Sequence, residues 1–271
     1  MIRVASYNMR KAIGTDRRRR PERTLEVWKE LDAHVIALQE ADRRFGSRTS
    51  AVPLELIEAS SDYKPVEFET RAGAIGWHGN ALLVKKDVEV LERHLFHLPS
   101  LEPRGAVLAE VKVDGAVLRV VGMHLDLSGL WRRRQAQAIL DHLAERDGAH
   151  PTVLMGDLNE WSTRGGCLRD FAAGHLFAPC GRSFHARRPI AQLDRIMVTP
   201  DLEIVASGAL ASPTARRASD HLPVWADVRR AAEPQRVPEI SGASSASLAS
   251  GGGWASRLRS SIASQSRKGR R

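Results

Sequence analysis

The sequence predicts an α/β protein in which two β-sheets pack together with helices on their flanks. Three observations carry that expectation. Many short apolar runs of strand length fall between residue 1 and about residue 230, only a few segments show helical spacing, and no repeat of fixed period organises the chain. With 271 residues and 42% apolar content, the chain can form one large domain with a substantial core.

The elements follow in order. Ile2-Arg3-Val4-Ala5-Ser6-Tyr7 reads as a first strand. Pro21 suits the first turn of a helix, and Leu25, Trp28 and Leu31 then recur at helical spacing. Val35-Ile36-Ala37-Leu38 is a short apolar run that delivers Glu40 at its end. Ala81–Val84, Val88–Leu91 and Ala106–Val111 read as further strands. Asp114-Gly115 is a hairpin turn signal, and the strand that follows, Val117–Val121, leads to His124. Ser128 is placed to cap a helix through about Glu145, with Ile139, Leu140 and Leu143 on its inner face. Thr152–Met155 is a buried strand ending at Asp157, and Arg195–Val198 and Val224–Val228 are late strands. Residues 1–232 therefore read as the folded domain. Residues 233–271 read as a flexible basic tail, because residues 241–253 are almost entirely Ser, Gly and Ala and cannot bury enough surface to offset the entropy of ordering.

The net charge of +9 suggests an anionic partner, but seven basic residues and one acid fall between Pro234 and Arg271, so the tail carries most of the excess. Trp254, Leu258 and Ile262 recur every four residues there, which permits a weak membrane-surface contact alongside the solvated-tail reading. The clusters Arg17–Arg20 and Trp131–Arg134 read as solvated faces. Cys167 and Cys180 make neither a disulfide framework nor a zinc spacing. The N-terminus reads as a strand rather than a secretory signal, and no apolar run approaches the roughly 18 residues of a membrane-spanning helix. The expectation is a cytoplasmic monomer.

Polar groups stand at one end of several apolar runs: Asn8, Glu40, His124, Asp157 with Asn159, Asp194, and Asp220 with His221. A carboxylate holds or activates water, and an amide donates to a phosphate oxygen or fixes that carboxylate. In an extended segment Asp157 and Asn159 would point the same way, and Asp220 and His221 to opposite sides. His221 needs a carboxylate to fix its tautomer, and Asp194 is a candidate. Glu40 is a candidate magnesium ligand, a role for which carboxylate oxygen is suited. Arg104 is placed to grip a phosphate oxygen and Asn80 to orient an ester. Each residue alone also fits a turn, a surface or a core role; their company favours a site.

Together, Ser6-Tyr7-Asn8, Leu38-Gln39-Glu40, Gly79-Asn80-Ala81-Leu82-Leu83, Met123-His124-Leu125-Asp126, Gly156-Asp157-Leu158-Asn159, Leu193-Asp194-Arg195-Ile196 and Ser219-Asp220-His221-Leu222-Pro223 resemble the endonuclease/exonuclease/phosphatase superfamily, whose fold is that of DNase I. The blocks run in family order, and Arg104-Gly105 and Arg134-Gln135-Ala136 add a likeness to small bacterial members. The resemblance implies a four-layer α/β sandwich of two mixed β-sheets flanked by helices, and divalent-metal-dependent cleavage of a phosphate ester with Mg2+ or Mn2+. It implies that Glu40 binds the metal with Asn8 and Asp220 close by. Asp157 would align or deprotonate the attacking water and Asn159 steady the phosphate. Asp194 would pair with a His221 that stabilises the pentacoordinate phosphorus, His124 would assist the phosphate or the leaving oxygen, and Arg104 would contact a non-bridging oxygen. One departure stands out: DNase-like nucleases place a glutamate near His78-Gly79-Asn80 as partner to the histidine matching His124, and no carboxylate is present there.

The expected activity is that of a metal-dependent phosphodiesterase acting by in-line attack of water. A phospholipid headgroup or small phosphodiester is favoured over nucleic acid, because the body of the chain is only modestly basic and 5% of residues are aromatic. Rival readings are a DNA or RNA endonuclease or exonuclease, and a non-catalytic binding protein on the same scaffold.

Overall fold

The computed structural model describes residues 1–237 apart from 44–48, 69–72, 147 and 149. Contacts group Met1–Pro238 as one unit. The basic tail beyond Val237, with its Trp254, Leu258 and Ile262 spacing, lies outside the described residues.

Two six-stranded mixed sheets form the centre. The strands of the first are β1 (Ile2–Asn8), β2 (Val35–Gln39), β3 (Tyr63–Pro65), β4 (Ala81–Lys85), β11 (Leu202–Ala209) and β12 (Val224–Arg230), in the order β11-β12-β1-β2-β4-β3. The second holds β5 (Glu89–Phe96), β6 (Gly105–Val113), β7 (Ala116–His124), β8 (Thr152–Asp157), β9 (Leu176–Phe177) and β10 (Asp194–Val198), in the order β5-β6-β7-β8-β10-β9. Within each sheet one central pair is parallel, β1 with β2 and β7 with β8, and the other pairs are antiparallel.

The alternation of side chains along each strand divides the apolar residues into layers. Val4, Val35, Ala37 and Leu82 of the first sheet meet Val107, Val120, Val153, Met155 and Ile196 of the second in the inter-sheet core. The outward faces are equally apolar. Ala5, Tyr7, Ile36, Leu38 and Leu83 pack under α1 (Pro21–Leu31), which contributes Leu25, Trp28 and Leu31. Leu108, Val121, Leu154 and Met197 pack under α3 (Gly129–Ala144) and α4 (Cys167–Ala172), through Ala136, Ile139, Leu168 and Phe171. Strands buried on both faces and helices buried on one make the four-layer α/β sandwich. Two short helices complete it, α2 (Leu54–Ser60) and α5 (Pro213–Ala218). Among the described residues no helix is long and apolar enough to cross a membrane.

Several local expectations change. Pro21 does open α1, and Asp114 (φ 49°) with Gly115 (φ 81°) does turn β6 into β7. Ser128 stands before α3 but its hydroxyl makes no capping bond; its amide instead donates to Asp126 Oδ1 at 2.9 Å. Arg132 is not solvated. It lies buried with Nη2 3.2 Å from Glu160 Oε2 and Nη1 donating to Leu127 O at 2.6 Å.

Gly156 has a steric reason. A Cβ there would stand 1.9 Å from the Met123 carbonyl oxygen and 2.8 Å from its Cγ, in the parallel pairing of β7 with β8. Gly156→Ala is expected to destabilise the fold by about 3 kcal/mol or more, because neither strand can move away. Chemical denaturation of the variant beside the parent checks this; equal midpoints would refute it.

Candidate active site

Sheet connectivity explains why residues spread over two hundred positions meet. The parallel strands β1, β2, β7 and β8 end at one edge, where they deliver Asn8, Glu40, His124 and Asp157. Their antiparallel neighbours β4, β6, β10 and β12 begin at that same edge. Gly105 pairs with His124 and Asp194 with Asp157, so Arg104 and Asp194 arrive there too. Val224 pairs with Ser6, which places Asp220 and His221 just ahead of β12 at the end of β1. Asn80 precedes β4 in the same way.

Asp157 is the hub. Its side chain is almost fully buried, and Oδ2 accepts a 2.9 Å bond from Asn8 Nδ2 across the gap between the sheets. Oδ1 accepts from the Asn159 amide at 3.0 Å. Asn159 is therefore not part of an extended segment. Its φ of 50° turns the chain at once, and its side-chain amide donates to Leu125 O at 2.9 Å. It touches Asp157 through its backbone, and the expected parallel projection of the two side chains does not hold.

Two histidines flank Asp157 in opposite protonation states. His221 Nε2 lies 3.7 Å from Asp157 Oδ2, and His221 Nδ1 lies 2.8 Å from Asp194 Oδ2. Burial alone would lower the His221 pKa, but the Asp194 and Asp157 carboxylates outweigh it and raise it to about 10. The ring is thus an imidazolium held in a fixed orientation. Ser183, which the sequence did not flag, donates to Asp194 Oδ2 at 2.5 Å and so anchors the anchor. His124 is the reverse case. Burial lowers its pKa to about 3, with the attraction of Asp157 opposed by the positive charge of Arg104. Arg104 Nη1 lies 2.7 Å from His124 Nε2, a bond that a neutral ring accepts. His124 Nε2 is 3.4 Å from Asp157 Oδ2, yet a neutral imidazole makes no ion pair there.

The mouth is more open and contains bases that sequence reasoning missed. Lys11 pairs with Glu40, and Arg10 Nε lies 3.3 Å from Asp220 Oδ2. Both follow Asn8 in a turn whose residues Arg10, Lys11 and Ala12 all have positive φ, and the only sequence signal was a basic pair two residues past Asn8. Glu40 itself has φ 53°. Asn8 Oδ1 accepts from the Arg10 amide at 3.1 Å. Asn80 is fully buried. Its Nδ2 donates to Gly105 O at 3.0 Å, which locks the start of β6, and only its Oδ1 is buried without a partner. Arg104 Nη2 also reaches Glu102 Oε2 at 3.3 Å.

Among the described residues, Asp157, Asp194 and His221 offer ligand atoms within 4.8 Å of one another, a buried cluster consistent with a divalent metal site. His221 Nδ1 and Asp194 Oδ2 are spent on each other, which leaves the Asp157 carboxylate and Asp194 Oδ1, buried and without a hydrogen-bond partner, as the available donors of that set. With Glu40, Asp220 and Asn8 Oδ1 at the same edge, the donor chemistry is hard oxygen, which suits Mg2+ or Mn2+.

Comparison with known proteins identifies the family and the fold. Residues 5–221 match the model of the Endonuclease/Exonuclease/phosphatase family. The chain belongs to that family, whose members are metal-dependent phosphoester hydrolases. No curated protein matches the chain. Solved structures that resemble it include a mannosyl-6-phosphatase of Bacteroides thetaiotaomicron (20% identity, 84% of this chain and 100% of that one, TM-score 0.69). D. rerio TDP2 complexed with single strand DNA product is also similar (16%, 84% and 98%, 0.67). So is the human Nocturnin catalytic domain with bound sulfate anion (18%, 85% and 94%, 0.64). At these identities the likeness shows the fold, the DNase I-like sandwich.

Asp194→Asn removes the largest influence that raises the His221 pKa. In metal-free protein the His221 ring is expected to titrate well below about 10, a shift read from its Cε1 proton by NMR against pH. An unchanged titration would show that Asp194 does not set the charge of the ring.

Proposed function

We propose that the chain is a divalent-metal-dependent phosphodiesterase that cleaves its substrate by in-line attack of water. The observation that carries this reading is the buried Asp157 carboxylate, oriented by Asn8 and Asn159 and standing 3.7 Å from the Nε2 of a charged His221.

In this scheme Asp157 takes a proton from the attacking water, the water oxygen bonds to phosphorus, and the ester oxygen leaves with the bonding pair. His221, fixed through Nδ1 by Asp194, donates from Nε2 to a non-bridging oxygen as negative charge grows in the transition state. Asn159 steadies the phosphate side through its turn. Arg104 brings its charge to a non-bridging oxygen. His124, held neutral beside it, acts by hydrogen bonding to the phosphate or leaving oxygen rather than as a strong acid. Asn80 acts on the ester through the placement of Gly105 and Arg104. Glu40, with Asn8 and Asp220 close by, would hold Mg2+ or Mn2+, and Lys11 would yield Glu40 to it. When bound, the cation would neutralise a non-bridging oxygen and the leaving oxygen. A phospholipid headgroup or small diester is the favoured substrate class, since the body of the chain carries little net charge and few aromatic residues.

Hydrolysis of bis-p-nitrophenyl phosphate is expected to need Mg2+ or Mn2+, to stop with EDTA and to fall about a thousandfold or more in Asp157→Ala. Full turnover in EDTA, or in the variant, would refute the scheme. A plasmid-nicking assay beside a phospholipid panel separates the nuclease alternative.

The metal assignment has its own check. Isothermal titration with Mn2+ is expected to show a saturable site in the parent that Glu40→Ala removes. A site that survives the substitution would move the cation to other donors, and no site in the parent would favour a non-catalytic scaffold.

A further inference from the structure

Eight large apolar side chains are exposed on the described surface, and five of them lie around the candidate site: Leu101, Leu127, Trp161 and Ile190 on loops and Leu130 in the first turn of α3. The loops are tied together and to the site chemistry. The Leu101 amide donates to Asp126 Oδ2 at 3.3 Å, two residues past His124. Arg132 joins Leu127 O to Glu160, the neighbour of both Asn159 and Trp161. Trp161 stands edge-on to Phe184 with ring centroids 6.0 Å apart, and Phe184 lies 4.9 Å from the ring of His221. The Ile190 amide donates to Phe184 O at 2.7 Å. This is a clustered apolar rim, unlike the scattered single exposures that any protein surface carries.

The charges on the same loops have one sign. Across residues 98–104, 125–134, 159–166 and 182–190, every exposed charged side chain is an arginine: Arg133, Arg134, Arg164, Arg182, Arg187 and Arg188, of which Arg133 is paired with Asp170 of α4 at 3.2 Å. Of the acids there, Asp126 and Glu160 are buried, and the half-buried Glu102 stands 3.3 Å from Arg104.

We propose that this rim docks on the surface of an anionic phospholipid bilayer, with the leucines, Ile190 and Trp161 entering the headgroup boundary and the arginines meeting lipid phosphates. The proposal rests on the phosphodiesterase reading for its purpose, since it brings a headgroup diester to the mouth of the site, but its physical basis is independent of catalysis. Exposed apolar side chains ringed by cationic ones match an anionic interface. A single-stranded nucleic acid would engage the arginines and Trp161 and leave four exposed aliphatic side chains with nothing to stack on.

Flotation of the full chain with vesicles tests this. The protein is expected to float with phosphatidylcholine–phosphatidylglycerol vesicles and not with phosphatidylcholine alone, and salt should weaken the binding. The double variants Leu127→Glu/Leu130→Glu and Arg164→Glu/Arg188→Glu should each weaken it about tenfold or more, with hydrolysis of the soluble diester unchanged. Both pairs are exposed, so folding is not at stake; circular dichroism verifies that. Failure of the parent to float, or variants that float like the parent, would overturn the proposal, the second result placing membrane contact elsewhere in the chain. So would a dimer in light scattering that Leu127→Glu/Leu130→Glu dissolves, or oligonucleotide binding lost in these variants without vesicle binding. A protein that floats by the rim yet hydrolyses no diester would keep the docking and remove the reaction.

Discussion

The structure depends on one demand: the carboxylate of Asp157 has to be accommodated where water scarcely reaches. Burying such a charge is costly unless its lone pairs are met and opposite charge is near. Here the two oxygens receive an amide from each of two different places, Asn8 from the facing sheet and the backbone of Asn159 from the next turn, and the His221 imidazolium supplies the positive charge. Each of these is itself held. Asn8 ends the central strand of the first sheet, His221 is fixed by Asp194, and Asp194 accepts from Ser183. The two sheets must therefore meet in one register for the carboxylate to be tolerated at all, and the same constraint that secures the fold composes the site.

The topology makes such a meeting possible. A parallel pair in the middle of each sheet sends two chain ends to the same edge, and antiparallel neighbours begin where those strands stop. Polar side chains placed just past or just before the strands collect there with no need for long loops. The edge divides by depth. His124, Asp157, Asp194 and His221 form a buried floor, and Glu40, Asp220, Arg10 and Lys11 form a more open mouth.

Much of the sandwich was legible because its strands are buried on both faces and read as continuous apolar runs. What escaped was peripheral. β11 (Leu202–Ala209) and the full length of β5 (Glu89–Phe96) are edge strands whose charged and small residues disguise them. In the site, residue types at strand ends were visible, but their partners were not. Nothing local marks Ser183 as the support of Asp194, or Arg10 and Lys11 as partners of Asp220 and Glu40, because those pairings are made by the fold. The Asp157–Asn159 geometry was misread for a physical reason: the chain leaves the strand immediately and turns left-handed, so a two-residue spacing no longer means a shared face. Arg132 looked solvated because its counter-ion, Glu160, stands 28 positions away.

Glu40 stands one residue past β2 with a left-handed backbone that its side chain makes unfavourable, and a glycine would sit there more comfortably. Glutamate there supplies the carboxylate that the proposed metal site requires, at a backbone cost that glycine would relieve.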